Sequence, residues 1–367
     1  MTATQVQNNW NTATPGKLIT LDGDTGRWTL KKAGRPKGSP QVVIDLAGHT
    51  LTRDPEVGSS DTIIFKSGVR DLKITNGRLL ACSRAGLKTE DPGGARDIWL
   101  DRLEVTGLWD ATAPVSTLPR VKWLAHHYRT GSWIETWMSY WGCSDEHARY
   151  FHNIQGNHYF SGSMVKWCGR TALQVVNRMA ENGTPEPEGY GDVTVEDETV
   201  EDVCLEQGGG GSAYTFRGGM KDSTVTLRRL TGRLGCDPDL HPSLRGRATG
   251  MVVVDSGPES SPGSGDAAWP GGTKAVYMPD CDFEVGTVYP GTGSAKRANV
   301  KIESCGLFSM TDGRIVVPAG EVALEIKQSC KEFFWSGSPE VIGDISYHGT
   351  TYATWDGFTA AHPECRA

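Results

Sequence analysis

Short apolar runs that end in Gly, Asn or Asp recur along most of the chain. VVIDLAGHTL from Val42, DTIIFKSG from Asp61 and TGMVVVDSG from Thr249 are typical, and such runs return at intervals of roughly 20 to 40 residues. A run this short cannot bury its own hydrophobic face, so it is stable only when the next one stacks on it, about 4.8 Å away. The pattern therefore predicts an all-β solenoid of parallel strands.

An antiparallel sandwich is the competing all-β architecture, and it predicts hairpin dipeptides between closely spaced strands. Asn76-Gly77 in KITNGRLL is the clear example, but it leads into a short second strand of the same coil. We therefore favour the solenoid, with an N-terminal cap region at 1–40, a β-helix domain at 41–340 and a C-terminal tail or cap at 341–367. Irregular inserts interrupt the repeat at 108–120, 181–191 and 256–272.

VVIDLAGHTL followed by DTIIFKSGVRDLKITNGRL resembles the opening coils of the pectate-lyase-like superfamily, and EHARYFHN and CGRTALQVVNR resemble its repeat coils. The resemblance implies a single-stranded right-handed parallel β-helix with loop insertions. Members are mainly polysaccharide lyases, glycoside hydrolases, epimerases and phage tailspike depolymerases, so it also implies a polysaccharide substrate. Tailspikes of this fold are often homotrimers, so the resemblance leaves a homotrimer open for this chain. Some members use Ca²⁺, but no calcium-binding loop is recognisable, and we assign no cofactor.

Composition narrows the function classes. The net charge of −7 and the pI near 5.8 disfavour nucleic acid as a partner, because phosphate recognition needs a basic surface. No stretch approaches the roughly 20 apolar residues of a membrane span, and the first ten residues lack the features of a signal peptide. We expect a secreted or virion-associated protein with no membrane partner. Nine cysteines without metal-binding spacing predict buried thiols.

The segment 123–178 is unusually rich in polar and aromatic residues, and it holds five of the nine histidines. Burying so many titratable groups is costly, so we expect many of them to face outward on one shared surface. Aligning coils on a small residue gives one column. Its members are Ala148, Ala172, Ala213 and Gly250. The next outward column contains Tyr150, Gln174, Thr215 and Val252, and the inward column contains Phe151, Val175, Phe216 and Val253.

The same alignment places His152 and Arg217 at equivalent positions. Arg149 falls where neighbouring coils have Leu173, Tyr214 and Met251. This predicts either a slip in the alignment or a β-bulge, and bulges are common near active sites.

β-Elimination on a uronate needs a group that neutralises the carboxylate, a base for the α proton and an acid for the leaving oxygen. His, Tyr and Arg in this segment supply all three, with His152 or His147 as base, Tyr150 as acid and Arg178 as a bidentate clamp. The predicted catalytic residues are His147, Tyr150, His152 and Arg178. The predicted substrate-binding residues are Trp137, Tyr140, Glu146, Arg149, His158, Gln174, Asn177 and Arg217. No metal ligand is predicted.

Two other functions remain open at this point. A glycoside hydrolase needs two carboxylates about 5.5 Å or about 6.5 to 9.5 Å apart. Its candidates are Glu135, Asp145, Glu146, Glu196, Asp197, Glu201, Asp202 and Glu206. The run from Glu196 to Glu206 is read more simply as a solvated outer strand face. A tail-fibre or adhesin module would bind glycan on Trp and Tyr without cutting it. Asn153 and Asn177 also fit a turn ladder that bonds the backbone of the adjacent coil.

Overall fold

A computed structural model gives the fold. It describes residues 1–31, 40–52, 61–80, 84–89, 94–112, 121–177, 191–205, 212–218, 223–242, 250–255, 273–286 and 298–367. The predicted insert 256–272, Arg178 and Glu206 lie outside these ranges, as do all of the insert 181–191 except Gly191 and most of the insert 108–120.

Parallel β-strands make up most of the described chain, with one short helix near each end. The helices are Ala3–Thr12 (α1), Trp355–Ala361 (α2) and a 3-10 turn at Pro363–Cys365. The strands are Leu18–Thr20 (β1), Trp28–Leu30 (β2), Val42–Asp45 (β3), Thr50–Leu51 (β4), Ile63–Phe65 (β5), Arg70–Leu80 (β6), Ala85–Thr89 (β7), Arg96–Thr106 (β8), Trp123–Tyr128 (β9), Trp133–Thr136 (β10), Ser139–Cys143 (β11), Arg149–His152 (β12), His158–Ser161 (β13), Met164–Cys168 (β14), Leu173–Asn177 (β15), Val193–Glu196 (β16), Thr199–Val203 (β17), Tyr214–Gly218 (β18), Thr224–Arg228 (β19), Thr231–Leu234 (β20), Val252–Asp255 (β21), Thr273–Pro279 (β22), Asp282–Val285 (β23), Ala298–Glu303 (β24), Cys305–Thr311 (β25), Arg314–Val316 (β26), Val322–Ile326 (β27), Glu332–Ser336 (β28), Glu340–Ile342 (β29), Asp344–Tyr347 (β30) and Thr350–Tyr352 (β31).

The strands stack into two long sheets in a β-helix-like solenoid. Sheet B takes one strand from each coil, in the order β2-β5-β7-β9-β12-β15-β18-β21-β24-β27-β30-β31, and sheet A takes the strands between them. Arg149 pairs with Ala125 in the preceding coil and with Leu173 in the following one, each 24 residues away. In the described residues every strand pair is parallel except β30 with β31 at the C-terminal end. The predicted stack of parallel coils is therefore confirmed.

From β6 to β28, the coils of sheet A turn a corner at one residue in the left-handed conformation. Asn76, at φ 58°, makes this corner inside the continuous strand β6, so the Asn-Gly pair joins two strands of one coil as predicted. The equivalent residues of the following coils also have positive φ. They are Arg102, Trp137, Gly162, Asp197, Arg229, Asp280, Asp312 and Gly337. We call these residues, together with Asn76, the corner ladder.

Alternate residues of each strand fill a continuous apolar core between the sheets. Phe151, Val175 and Phe216 are fully buried and stack in successive coils, as period-two alternation requires. The described cysteines are free thiols, and all are buried except Cys236.

Both ends of the solenoid are covered. Trp10 of α1 is buried and donates from Nε1 to the Lys31 carbonyl at 2.6 Å, while Phe358 of α2 is buried against Tyr347. Strands β1 and β2 already pair within sheets A and B, so the sheets extend into the predicted cap region. No described helix has the length and apolar character needed to cross a lipid bilayer.

Candidate functional site

The outer face of sheet B brings together residues from four successive coils. His126 pairs with Tyr150, Tyr150 with Gln174, and Gln174 with Thr215. The predicted outward column of Tyr150, Gln174 and Thr215 is thus confirmed. Its next member is Val253, not Val252, because Tyr214 pairs with Val252 and the alignment on Gly250 was one residue out of register.

A second outward column runs beside the first. Tyr128 pairs with His152, His152 with Val176, and Val176 with Arg217, so the predicted equivalence of His152 and Arg217 is confirmed. Strands are stacked about 4.8 Å apart, and His152 and Arg217 are therefore roughly 10 Å apart along the solenoid.

Six aromatic side chains of this face touch one another, and we call them the ring cluster. They are Trp123, His126, Tyr128, His147, Tyr150 and His152. Two pairs stack almost parallel across adjacent coils, His126 on Tyr150 at 11° and Tyr128 on His152 at 10°. Tyr150 also approaches His152 and His147, with ring centroids 3.9 Å and 4.7 Å apart.

The three histidines of the ring cluster are shielded from solvent. His126, His147 and His152 are 5 %, 5 % and 7 % exposed. Burial, reinforced by the charge of neighbouring His152, lowers the pKa of His126 to about 2. Burial also lowers the pKa of His147 to about 3, with a contribution from Arg170. Neutral imidazoles at pH 7 can accept and donate hydrogen bonds without carrying charge.

The hydrogen bonds of His147 fix its tautomer. Its Nδ1 accepts from the Thr171 backbone N–H at 3.3 Å, so the proton lies on Nε2, 3.5 Å from Glu146 Oε2. Glu146 in turn lies 3.0 Å from Arg170 Nη1. Because its basic nitrogen is already used, His147 is a weaker candidate for a general base than the sequence indicated.

Asn177 has a structural role. It is 1 % exposed, and its Oδ1 accepts from the Ile154 backbone N–H in the preceding coil at 3.0 Å. This is the turn-ladder alternative, so we no longer regard Asn177 as a substrate-binding residue. Gln174 and Arg217 are partly exposed on the outer face, where a glycan could reach them.

Three predicted substrate-binding residues lie inside the solenoid, and their assignment to the surface was wrong. Tyr140, Arg149 and His158 are at most 1 % exposed. Arg149 pairs in regular register, without slip or bulge, because it simply occupies an inward position two residues before Phe151. Its charge is matched internally by Glu198 at 2.5 Å and Glu135 at 3.6 Å. His158 bonds to Thr130 Oγ1 and the Gly156 carbonyl, both at 2.7 Å.

Trp137 lies on a different face from the ring cluster. It belongs to the corner ladder of sheet A, and it is 63 % exposed. The structure therefore brings together His147, Tyr150, His152, Gln174 and Arg217 from the predicted set, with Glu146 beside His147, and leaves Trp137 apart.

The carboxylates predicted for a hydrolase are mostly engaged by basic side chains. Glu196 binds Arg228, Asp197 lies 2.7 Å from Arg229 Nε, and Glu201 lies 3.4 Å from Lys166 Nζ. Asp202 is 3 % exposed and accepts from the Gly235 N–H at 2.9 Å, and burial raises its pKa to about 6. Glu135 is fully buried, which raises its pKa although Arg149 opposes the shift.

Sequence reasoning missed His126 and Tyr128 as members of the site. The available signal was the constant spacing, because His126, Tyr150 and Gln174 follow one another at 24-residue intervals. The irregular insert before β9 hid that coil from the alignment.

In the described residues, no three His, Cys, Asp or Glu side chains converge closely enough to hold a metal ion. Comparison of the chain with protein-family models, with curated proteins and with solved structures finds no match.

Proposed function

We propose that this protein is a right-handed, single-stranded parallel β-helix that cleaves a uronate-containing polysaccharide by β-elimination on the outer face of sheet B. One observation carries the proposal. The Tyr150 ring packs against two histidines, with ring centroids 3.9 Å apart for His152 and 4.7 Å apart for His147, and Gln174 and Arg217 follow along the same two columns.

The proposed roles follow from the chemistry of elimination. Arg217 and Gln174 bind the uronate carboxylate, which makes the α proton more acidic. His152 removes the proton from C5, the electron pair forms the C4–C5 double bond, and the bond from C4 to the glycosidic oxygen breaks. Tyr150 gives its proton to that oxygen. Arg178 remains the carboxylate clamp predicted from sequence.

His126 supports a ligand at this site. It is 5 % exposed, and neither of its ring nitrogens has a hydrogen-bond partner among the described residues. A buried polar group without a partner is costly, and such groups occur where a ligand supplies the missing bond. Because its low pKa keeps it neutral, His126 has one donor and one acceptor nitrogen, which suits a sugar hydroxyl that both donates and accepts.

The test is the ultraviolet absorbance of the unsaturated product during incubation with alginate, polygalacturonate, hyaluronan and heparin. We expect a rise with at least one polymer, and its loss in Tyr150→Phe and His152→Ala. Tyr277→Phe, on the outer face of sheet A, is the matched control and should retain activity. New reducing ends without this absorbance would favour the hydrolase, and neither signal would favour the binding module. Either result would overturn the proposal.

The localisation, the oligomeric state and any role of Ca²⁺ remain predictions from the sequence and the resemblance. Secretion or association with a virion, a homotrimeric state and a role for Ca²⁺ each need their own measurement.

A further inference from the structure

Trp137 occupies a backbone position that suits small polar residues. Its φ is 55°, in the left-handed region, where a bulky side chain is a genuine outlier. Four other corners of the ladder carry Asn76, Asp280, Asp312 and Gly337, which adopt this conformation at low cost, and the other long side chains on the ladder, Arg102 and Arg229, are not aromatic. A strained residue of this kind persists when the surrounding structure enforces it, and strain of this type clusters at functional sites.

The next coil is shaped to receive the Trp137 ring. Gly162 is the equivalent corner, and a Cβ placed there would lie 2.7 Å from Cε3 of Trp137 and 2.9 Å from Cδ2. The six-membered ring of the indole therefore rests directly on the Gly162 backbone. Because the residue is 63 % exposed, much of the indole remains open to solvent.

The surroundings of the ring combine exposed apolar side chains with charged groups that are held in ion pairs. Ile134 and Met164, on the neighbouring strands, are 37 % and 45 % exposed. Along the ladder, Arg102 lies 3.7 Å from Asp101 on one side, and Asp197 lies 2.7 Å from Arg229 on the other. The Thr136 hydroxyl, immediately before the corner, is engaged within the fold, because it donates to Asp101 Oδ1 and accepts from Trp99 Nε1, both at 2.8 Å.

From this geometry we infer that Trp137 and Gly162 form a stacking platform for a neutral pyranose glycan, separate from the ring cluster. An aromatic ring supported on one side offers its other side to the apolar face of a sugar. The described charged groups beside the ring, Arg102 and Asp197, are held in ion pairs, which suits an uncharged glycan better than a uronate polymer. Binding at the platform does not require elimination at sheet B, so this inference stands apart from the proposed function.

Affinity electrophoresis through gels that contain hydroxyethyl cellulose, galactomannan or xylan tests the platform. We expect wild-type protein to be retarded by at least one of these neutral polymers, and Trp137→Ala to lose about tenfold in affinity, which corresponds to one stacking contact of about 1.4 kcal/mol. Phe334→Ala removes another exposed ring from the same sheet and should bind like wild type.

Trp137→Asn separates binding from folding. Asn tolerates the left-handed conformation, so this variant should keep or raise the melting temperature while it loses glycan binding. No retardation of the wild type by any neutral polymer would overturn the inference, as would full binding by Trp137→Asn. A change of oligomeric state in Trp137→Asn would assign the ring to a contact between two copies of the chain, and it would overturn the inference too.

Discussion

The charged network inside the solenoid gives the most demanding prediction. Arg149 is fully buried, with its Nη2 at 2.5 Å from Glu198 Oε1 and its Nη1 at 3.6 Å from Glu135 Oε2. Tyr214 donates to the same Glu198 oxygen at 2.9 Å, and Trp133 Nε1 donates to Glu135 at 2.9 Å. Removing one member of a buried ion pair leaves an uncompensated charge, which typically costs about 3 to 5 kcal/mol.

Arg149→Met should therefore lower the free energy of unfolding by about 3 to 5 kcal/mol, measured by urea denaturation at pH 7. The triple variant Glu135→Leu, Arg149→Met and Glu198→Met removes every charge, so it should recover most of this loss. A loss below about 1 kcal/mol in Arg149→Met would refute the view that Arg149 balances a buried carboxylate.

The pH dependence of the same variant checks its cause. Burial already raises the pKa of Glu135 and Arg149 opposes that shift, so without Arg149 this pKa would rise further above its unfolded value of about 4.3. A raised carboxyl pKa destabilises the protein at higher pH, and this effect disappears as pH falls towards the unfolded value. The difference in stability between wild type and Arg149→Met should therefore shrink between pH 7 and pH 4.5. A difference that does not change with pH would point to lost packing instead.

Three further predictions concern the histidines, the turn ladder and the ring cluster. Folded His126, His147 and His158 have pKa values lowered to about 2, 3 and 4, mainly by burial, so the unfolded chain binds more protons below about pH 6.5. Urea denaturation should show each costing up to about 2 kcal/mol at pH 5, and equal stability at pH 7 and pH 5 would contradict their burial. Asn177→Ala leaves the Ile154 N–H unbonded and should cost about 1 to 3 kcal/mol, whereas Gln174→Ala should change stability little. Tyr150→Phe should lower kcat by about 10² to 10⁴ without lowering the melting temperature, and an unchanged kcat would remove Tyr150 as the acid.

The coil architecture could be predicted from the sequence because it depends on local alternation. Phe151, Val175 and Phe216 repeat at matching positions, and stacking parallel strands is the arrangement that buries all of them. The register failed at Val252, where the preceding coil is long and irregular. Nothing in a single sequence fixes how many residues such a coil leaves outside its strands, and an error of one residue exchanges the two faces.

The errors at Tyr140, Arg149 and His158 have a different origin. The rule that titratable groups face outward treats each side chain alone, but Arg149 is inside because Glu198 and Glu135, contributed by other coils, balance its charge. Glu198 and Glu135 are 49 and 14 residues from Arg149 in the chain, so they meet it only because the coils stack. The residues of the predicted site that do reach the surface lie on two separate faces. Trp137 is on the corner ladder of sheet A, and the ring cluster is on sheet B. If both proposals hold, Trp137→Asn should reduce binding of neutral glycan and leave elimination of uronate unchanged, whereas His152→Ala should do the reverse. A loss of both activities in either single variant would mean that one continuous surface binds the polymer, which the separation of these faces in the fold does not predict.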